Sequence, residues 1–156
     1  MDLDWKMIEE KATKYRLHAK LVGAIILQES NNRTYAMRHE AHWRYAYDIK
    51  TFAENAHSSQ DTERIGQMTS WGLMQVMGTV ARELGFSGYF SMLCVPSIGV
   101  EYGCKKLRTL YNKYEELGDI VASYNAGSVR KTKGGFYHNQ RYVDSVFKHY
   151  KKLKDL

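Results

Sequence analysis

Glu29 closes an apolar run, Leu21-Val22-Gly23-Ala24-Ile25-Ile26-Leu27-Gln28-Glu29-Ser30, and that placement gives it chemical potential. A proline-free run of this kind predicts a buried helix with a carboxyl group at its polar end. Four residues separate Glu29 from Ile25, so both share a face with Leu21. A carboxyl at the margin of an apolar stripe loses hydration, which favours its protonated form. A carboxyl that keeps its proton near neutral pH can donate it to a leaving oxygen. The same residues also fit a helix that merely ends in polar side chains. Two further segments separate these readings.

The first is Thr69-Ser70-Trp71-Gly72-Leu73-Met74-Gln75, and the second is Ala122-Ser123-Tyr124-Asn125-Ala126-Gly127. Together with Glu29-Ser30 upstream and Tyr142-Val143 downstream, they stand in the order Glu-Ser, Gly-Leu-Met-Gln, Tyr-Asn-Ala-Gly, Tyr-Val. Each motif alone is short, but the order is specific. It resembles the soluble lytic transglycosylases of glycoside hydrolase family 23, lysozyme-like enzymes that cut the peptidoglycan glycan strand. The resemblance covers most of the chain outside residues 31–68.

This resemblance implies a mostly α, lysozyme-like single domain over residues 1–156, with an aromatic-rich insertion at about 31–68. It implies that Glu29 protonates the β-1,4 oxygen between N-acetylmuramic acid and N-acetylglucosamine. Glu29 then takes the proton of the muramic 6-hydroxyl as a 1,6-anhydro ring closes. By the same carry-over Ser70, Gln75, Tyr124 and Asn125 line the substrate cleft, and the Tyr142 hydroxyl orients the catalytic carboxyl. A core or loop role is the alternative for Tyr142 and Asn125. Ser30 is expected to bond backbone, since no histidine can be assigned to it as a base.

Where the chain departs from the family pattern, the chemistry stays open. Gly99 stands where relatives carry Asn, and Met77-Gly78 where they carry Met-Pro. Gly103 is retained, as though to admit a neighbouring helix. The insertion lengthens the path from Glu-Ser to Gly-Leu-Met-Gln and opens with Arg38-His39-Glu40, a pattern similar to related phage enzymes. It contains Glu40, Asp48, Asp61 and Glu63. Any one of them facing Glu29 across the cleft would allow water to be activated, giving a muramidase like the goose-type lysozymes of this family. Trp43 and the nearby tyrosines either stack on sugar rings or pack the insertion. A non-catalytic wall-binding module is the more distant alternative.

The elements that must position these groups are legible in outline. Residues 4–16 have helical spacing, and the apolar run supplies a second helix. Ser58-Ser59-Gln60-Asp61 reads as a loop. Thr79 to Leu84 forms a short helix stopped by Gly85, and Pro96 opens a long one. Asp119 to Ala126 is helical up to Gly127, residues 128–138 form a basic loop, and Asn139 caps a last helix. That helix has Lys and Arg on one face, a solvated surface rather than a membrane-lytic tail.

Composition adds bounds. A chain of 156 residues buries about 70% of its unfolded surface, enough to fold without staples. The formal net charge of +6 suits an anionic partner without choosing one. No nucleic-acid motif accompanies it, and peptidoglycan glycan strands are the expected partner of a monomer. Cys94 and Cys104 are expected to be separate buried thiols. The scattered histidines offer no zinc spacing, so neither metal nor cofactor is expected. The acidic start, Met1-Asp2-Leu3-Asp4, lacks the pattern of a secretory signal. No apolar stretch reaches the ~20 residues of a membrane span. Action on the wall would then depend on phage lysis, a virion or a special export route.

Overall fold

The apolar run does become a helix, because its side chains repeat too densely to be left in water. A computed structural model describes residues 2–154 and is mostly helical, with a lysozyme-like arrangement. Helix α1 (Trp5–Lys14) is capped by the Asp4 carboxylate, which accepts from Met7 N. Helix α2 (Ala19–Ser30) buries Leu21, Val22, Ala24, Ile25 and Ile26 almost completely. Burial of each large side chain contributes about 1.5–3 kcal/mol, and this anchors the helix end that carries Glu29. Asn31 stops the helix in the left-handed conformation that Asn tolerates better than most residues.

Residues 31–68 contain more regular structure than their composition suggests. Strand β1 (Met37–His39) is followed by α3 (Ile49–Asn55) and α4 (Gln60–Gln67). Ser58–Asp61 is therefore only partly a loop: the Ser59 hydroxyl accepts from Thr62 N, and the helix starts at Gln60. A cap is written with the same polar residue types as a turn, which is why composition alone misjudges it.

Strands β2 (Thr69–Trp71) and β3 (Val76–Met77) complete an antiparallel sheet in the order β1-β2-β3. Arg38 pairs with Ser70, and Met37 with Trp71. Neighbouring residues along a strand point to opposite faces, so Arg38 and Ser70 face one way and Met37 and Trp71 the other. The turn from β2 to β3 is the Gly-Leu-Met-Gln motif. Gly72 has φ +70, and a Cβ there would meet the Leu93 carbonyl oxygen at 2.3 Å. Only glycine satisfies both demands.

Helix α5 (Gly78–Glu83) and a 3-10 turn (Phe90–Cys94) lead into α6 (Pro96–Lys113), then α7 (Leu117–Ala126) and α8 (Gln140–Lys154). Pro96 sits in the first turn of α6, where its missing N–H has no partner to lose. Gly103 admits Met74 of the β2–β3 turn, not another helix: an added Cβ would lie 2.2 Å from the Met74 sulfur. Gly99 packs against the Leu93 carbonyl oxygen, 2.3 Å from an added Cβ, which leaves no room for the asparagine of relatives. Cys94 and Cys104 are buried and unpaired. Helix α8 lies along α2, and that packing brings Tyr142 to Glu29.

Candidate active site

Glu29 lies in the last turn of α2, where the backbone carbonyls of the helix end disfavour a negative charge. The side chain lines a cleft of about 350 Å³ between α2, the sheet, α6 and α7. Loss of water pushes its pKa up. A hydrogen bond from Tyr142 pulls the other way, as do the charges of Lys106 and Arg38, while Glu40 adds to the rise. The Tyr142 hydroxyl donates to Glu29 Oε1 at 2.6 Å. Burial and the adjacent carboxyl drive the phenol pKa far upward, so Tyr142 remains a donor throughout the working pH range.

Ser70 and Gln75 brace the opposite wall. The single Ser70 hydroxyl proton is shared between the Arg38 carbonyl (3.2 Å) and Gln75 Oε1 (3.1 Å). Gln75 Nε2 donates to the carbonyls of Ala36 (3.0 Å) and Gly72 (2.9 Å). These bonds hold Gln75 at φ +48, a conformation that strains a non-glycine residue. Its amide protons are thus engaged by the protein, leaving the oxygen as the group with capacity for a sugar.

Tyr124 is 1% exposed, and its hydroxyl donates to the Met74 carbonyl at 2.8 Å. Asn125 is exposed at the rim and accepts from Asn139 Nδ2 at 3.0 Å. The Asn139 side chain also donates to the Ala122 carbonyl, so it ties α8 to the end of α7. Ser30 bonds the carbonyls of Ile26 and Leu73, in keeping with a backbone role.

The four acidic residues of the insertion have separate fates. Asp48 caps α3 through Thr51 N. Asp61 is exposed in the first turn of α4. Glu63 is fully buried and forms a two-pronged bond with Arg82, each N–O distance 2.9 Å. Glu40 alone of the four lines the cleft with Glu29, where it pairs with Arg38 Nε at 3.1 Å. Trp43 lines it too, its indole N–H fixed to Thr79 Oγ1 at 3.0 Å. Tyr45 and Tyr47 are exposed.

Sequence reasoning overlooked Lys106. It enters the cleft from α6, donates to the Tyr124 carbonyl at 2.7 Å and lies 4.0 Å from the Tyr124 ring centre. Burial lowers its pKa to about 8, against an opposing pull from Glu29. The available signal was its spacing: Lys106 is three residues past Gly103, on the face that packs against the Gly-Leu-Met-Gln turn.

A larger cavity of about 470 Å³ lies on the other face of the sheet, lined by Met37, Ile65, Trp71, Tyr89 and Phe90. It is mostly apolar, its Glu63 and Arg82 are paired to each other, and Glu29 does not line it. Among the described residues, no three His, Cys, Asp or Glu side chains gather as a metal site.

The sequence pattern of the transglycosylase SLT domain matches residues 6–144. The chain belongs to that family. Peptidoglycan is the substrate of the SLT domain, and cleavage of its glycosidic bonds at the cell wall is the activity that membership carries. No curated protein matches the chain. The SLT match spans the whole insertion, so residues 31–68 lie within the family domain. Among the described residues, no helix is long and apolar enough to cross a membrane.

Proposed function

We propose that this SLT protein is a lytic transglycosylase in which Glu29 is the single acid and base. The observation that carries the reading is the half-buried Glu29 carboxyl, held by a neutral phenol at 2.6 Å on the wall of a polar cleft. With Tyr142 donating to Oε1, the acid proton resides on Oε2. That proton passes to the oxygen between N-acetylmuramic acid and N-acetylglucosamine as the C1–O bond breaks. The substrate's acetamido oxygen supports the positive charge that develops at C1. Glu29, now a carboxylate, accepts the 6-hydroxyl proton while O6 bonds to C1, which closes the anhydro ring and restores the acid. One group works in both directions, so a raised carboxyl pKa serves it better than an ordinary one.

Gln75 and Asn125 would meet the sugar substituents from opposite walls, while Ser70 holds Gln75 and Tyr124 supports the cleft floor. A second reading has one observation in its favour. Glu40 lines the same cleft, and a carboxylate there can take a proton from water. The product would then be a reducing sugar rather than an anhydro ring.

Mass spectrometry of digested peptidoglycan separates the two. Anhydro ends are expected, and exclusively reducing ends would convert the assignment to a muramidase. Glu40→Gln refines the answer: it should leave anhydro product intact, whereas loss of all product with Glu29 unaltered would place Glu40 in the reaction. Action on the wall in phage lysis or from a virion is the setting in which we place the enzyme, on the strength of the Arg38-His39-Glu40 opening of its insertion.

A further inference from the structure

Among the described residues, Lys106 is a cation of the cleft with no carboxylate paired to it, though it feels the charge of Glu29 when that group is ionised. Arg38, on the facing wall, is paired with Glu40. Among the described residues, no carboxylate oxygen lies within 4.0 Å of Lys106 Nζ. Its hydrogen-bond acceptor is the Tyr124 backbone carbonyl. An ammonium has three N–H donors; with one on the Tyr124 carbonyl and the Tyr124 ring 4.0 Å away, donor capacity remains for whatever occupies the cleft.

The charges that share this cleft come from several elements. Glu29 projects from α2, Tyr142 approaches behind it from α8, Tyr124 lies beneath on α7, and Arg38, Glu40 and His42 line the insertion side. When Glu29 is protonated, as the acid step requires, the Arg38–Glu40 pair cancels internally. Lys106 then leaves an unbalanced positive charge in a partly dehydrated groove, where an anion gains most from binding.

We infer that Lys106 is a substrate-binding residue that takes a carboxylate of the glycan strand, selecting acid-bearing sugars over neutral ones. This rests on the peptidoglycan reading above. Two sources on a wall strand share that chemistry: the lactyl carboxylate of a muramic residue without peptide, and the carboxylates of an attached peptide. Binding also has a consequence for the acid. A carboxylate on Lys106 cancels the positive field that favours ionised Glu29, so Glu29 holds its proton more firmly in the complex than in the free protein.

Calorimetric titration of the full chain carrying Glu29→Gln tests this without cleavage, since glutamine reproduces a neutral carboxyl. Three probes are needed: peptide-free glycan strands, peptide-bearing strands of equal length, and neutral N-acetylglucosamine oligomers. Adding Lys106→Gln, which keeps a donor for the Tyr124 carbonyl, should weaken at least one acid-bearing probe roughly tenfold or more. The neutral oligomer should change by less than about twofold, and Lys106→Arg should recover most of the loss. A loss restricted to peptide-free strands assigns the lactyl carboxylate, and one restricted to peptide-bearing strands assigns the peptide.

With the lysine present, binding of the acid-bearing strand should also weaken as pH climbs through the lowered lysine pKa. That pKa lies below the value of about 8 once Glu29→Gln removes the charge that raises it, and Lys106→Arg should abolish the step. Equal loss on all three probes, or none on any, overturns the inference and leaves Lys106 as a support for Tyr124. If the Glu29→Gln protein binds none of the probes, the peptidoglycan reading falls as well.

Discussion

Glu63 and Glu29 are both withdrawn from water, and their surroundings suit them to opposite tasks. Glu63 on α4 is 1% exposed and meets a guanidinium in two-pronged geometry, with Gln67 Nε2 donating to the same carboxylate at 2.9 Å. The Arg82 guanidinium also donates to the carbonyls of Phe86 and Gly88, and it lies 4.1 Å from the Phe90 ring centre. Every polar atom there has a partner, and the ion pair clamps the insertion to α5. Among the described residues, Glu29 receives one phenol proton and pairs with no cation. The difference is one of stoichiometry: a buried carboxyl with a full complement of donors is a structural anion, and one with a single neutral donor can trade a proton.

The largest expected effect comes from removing the proposed proton carrier. Glu29→Gln should cut the clearing of cell-wall suspensions by about 10³-fold, within the span that general acid catalysis supplies, while wall binding and the melting transition persist. Unchanged clearing would transfer catalysis to another residue.

Glu63→Gln should do the reverse, breaking the structure before the chemistry. Leaving Arg82 unpaired in the interior is expected to lose about 3–5 kcal/mol, seen as a melting temperature roughly 10 °C lower. Cleavage per folded molecule should hold steady at low temperature. A negligible change in melting would mean that water replaces the lost carboxylate.

Tyr142→Phe sharpens the contrast by taking away the phenol that donates to Glu29. That bond favours the carboxylate, so its loss should raise the Glu29 pKa further. Activity disappears as pH rises through that pKa, and the alkaline limb of kcat/KM should therefore move to higher pH. A limb that stays put would show that Tyr142 only packs.

The smallest effect is thermodynamic. A carboxyl whose pKa is raised on folding binds its proton more tightly in the folded state, so stability falls as pH climbs from the unfolded carboxyl value of about 4.3 through the raised folded value. Glu29→Gln removes this loss. The variant should match the parent near pH 4 and melt progressively above it as pH increases, a trend that thermal scans across pH would reveal or refute.

Much of the scaffold was legible because helices announce themselves locally. The spacing in residues 4–16, the apolar run to Ser30, the stop at Gly85, the start at Pro96 and the end at Gly127 all correspond to helix boundaries within a few residues. The small sheet was not legible. Its strands are only two or three residues long, too short for an alternating pattern, and β1 pairs with a segment some thirty residues downstream.

Sequence by itself determined that a carboxyl sits at the end of a buried helix, because a dense apolar run, with Leu21 and Ile25 one turn apart on the face of Glu29, commits that helix to the core. It also placed a glycine at position 72, but only the fold shows that the backbone turns there against the Leu93 carbonyl. Tertiary structure alone decided which of Glu40, Asp48, Asp61 and Glu63 shares the cleft with Glu29, and that Lys106 joins them. The physical reason is that a side chain's charge state and task depend on its partners. Those partners, Arg82 for Glu63 and Tyr142 for Glu29, lie far along the chain and meet only when the helices pack.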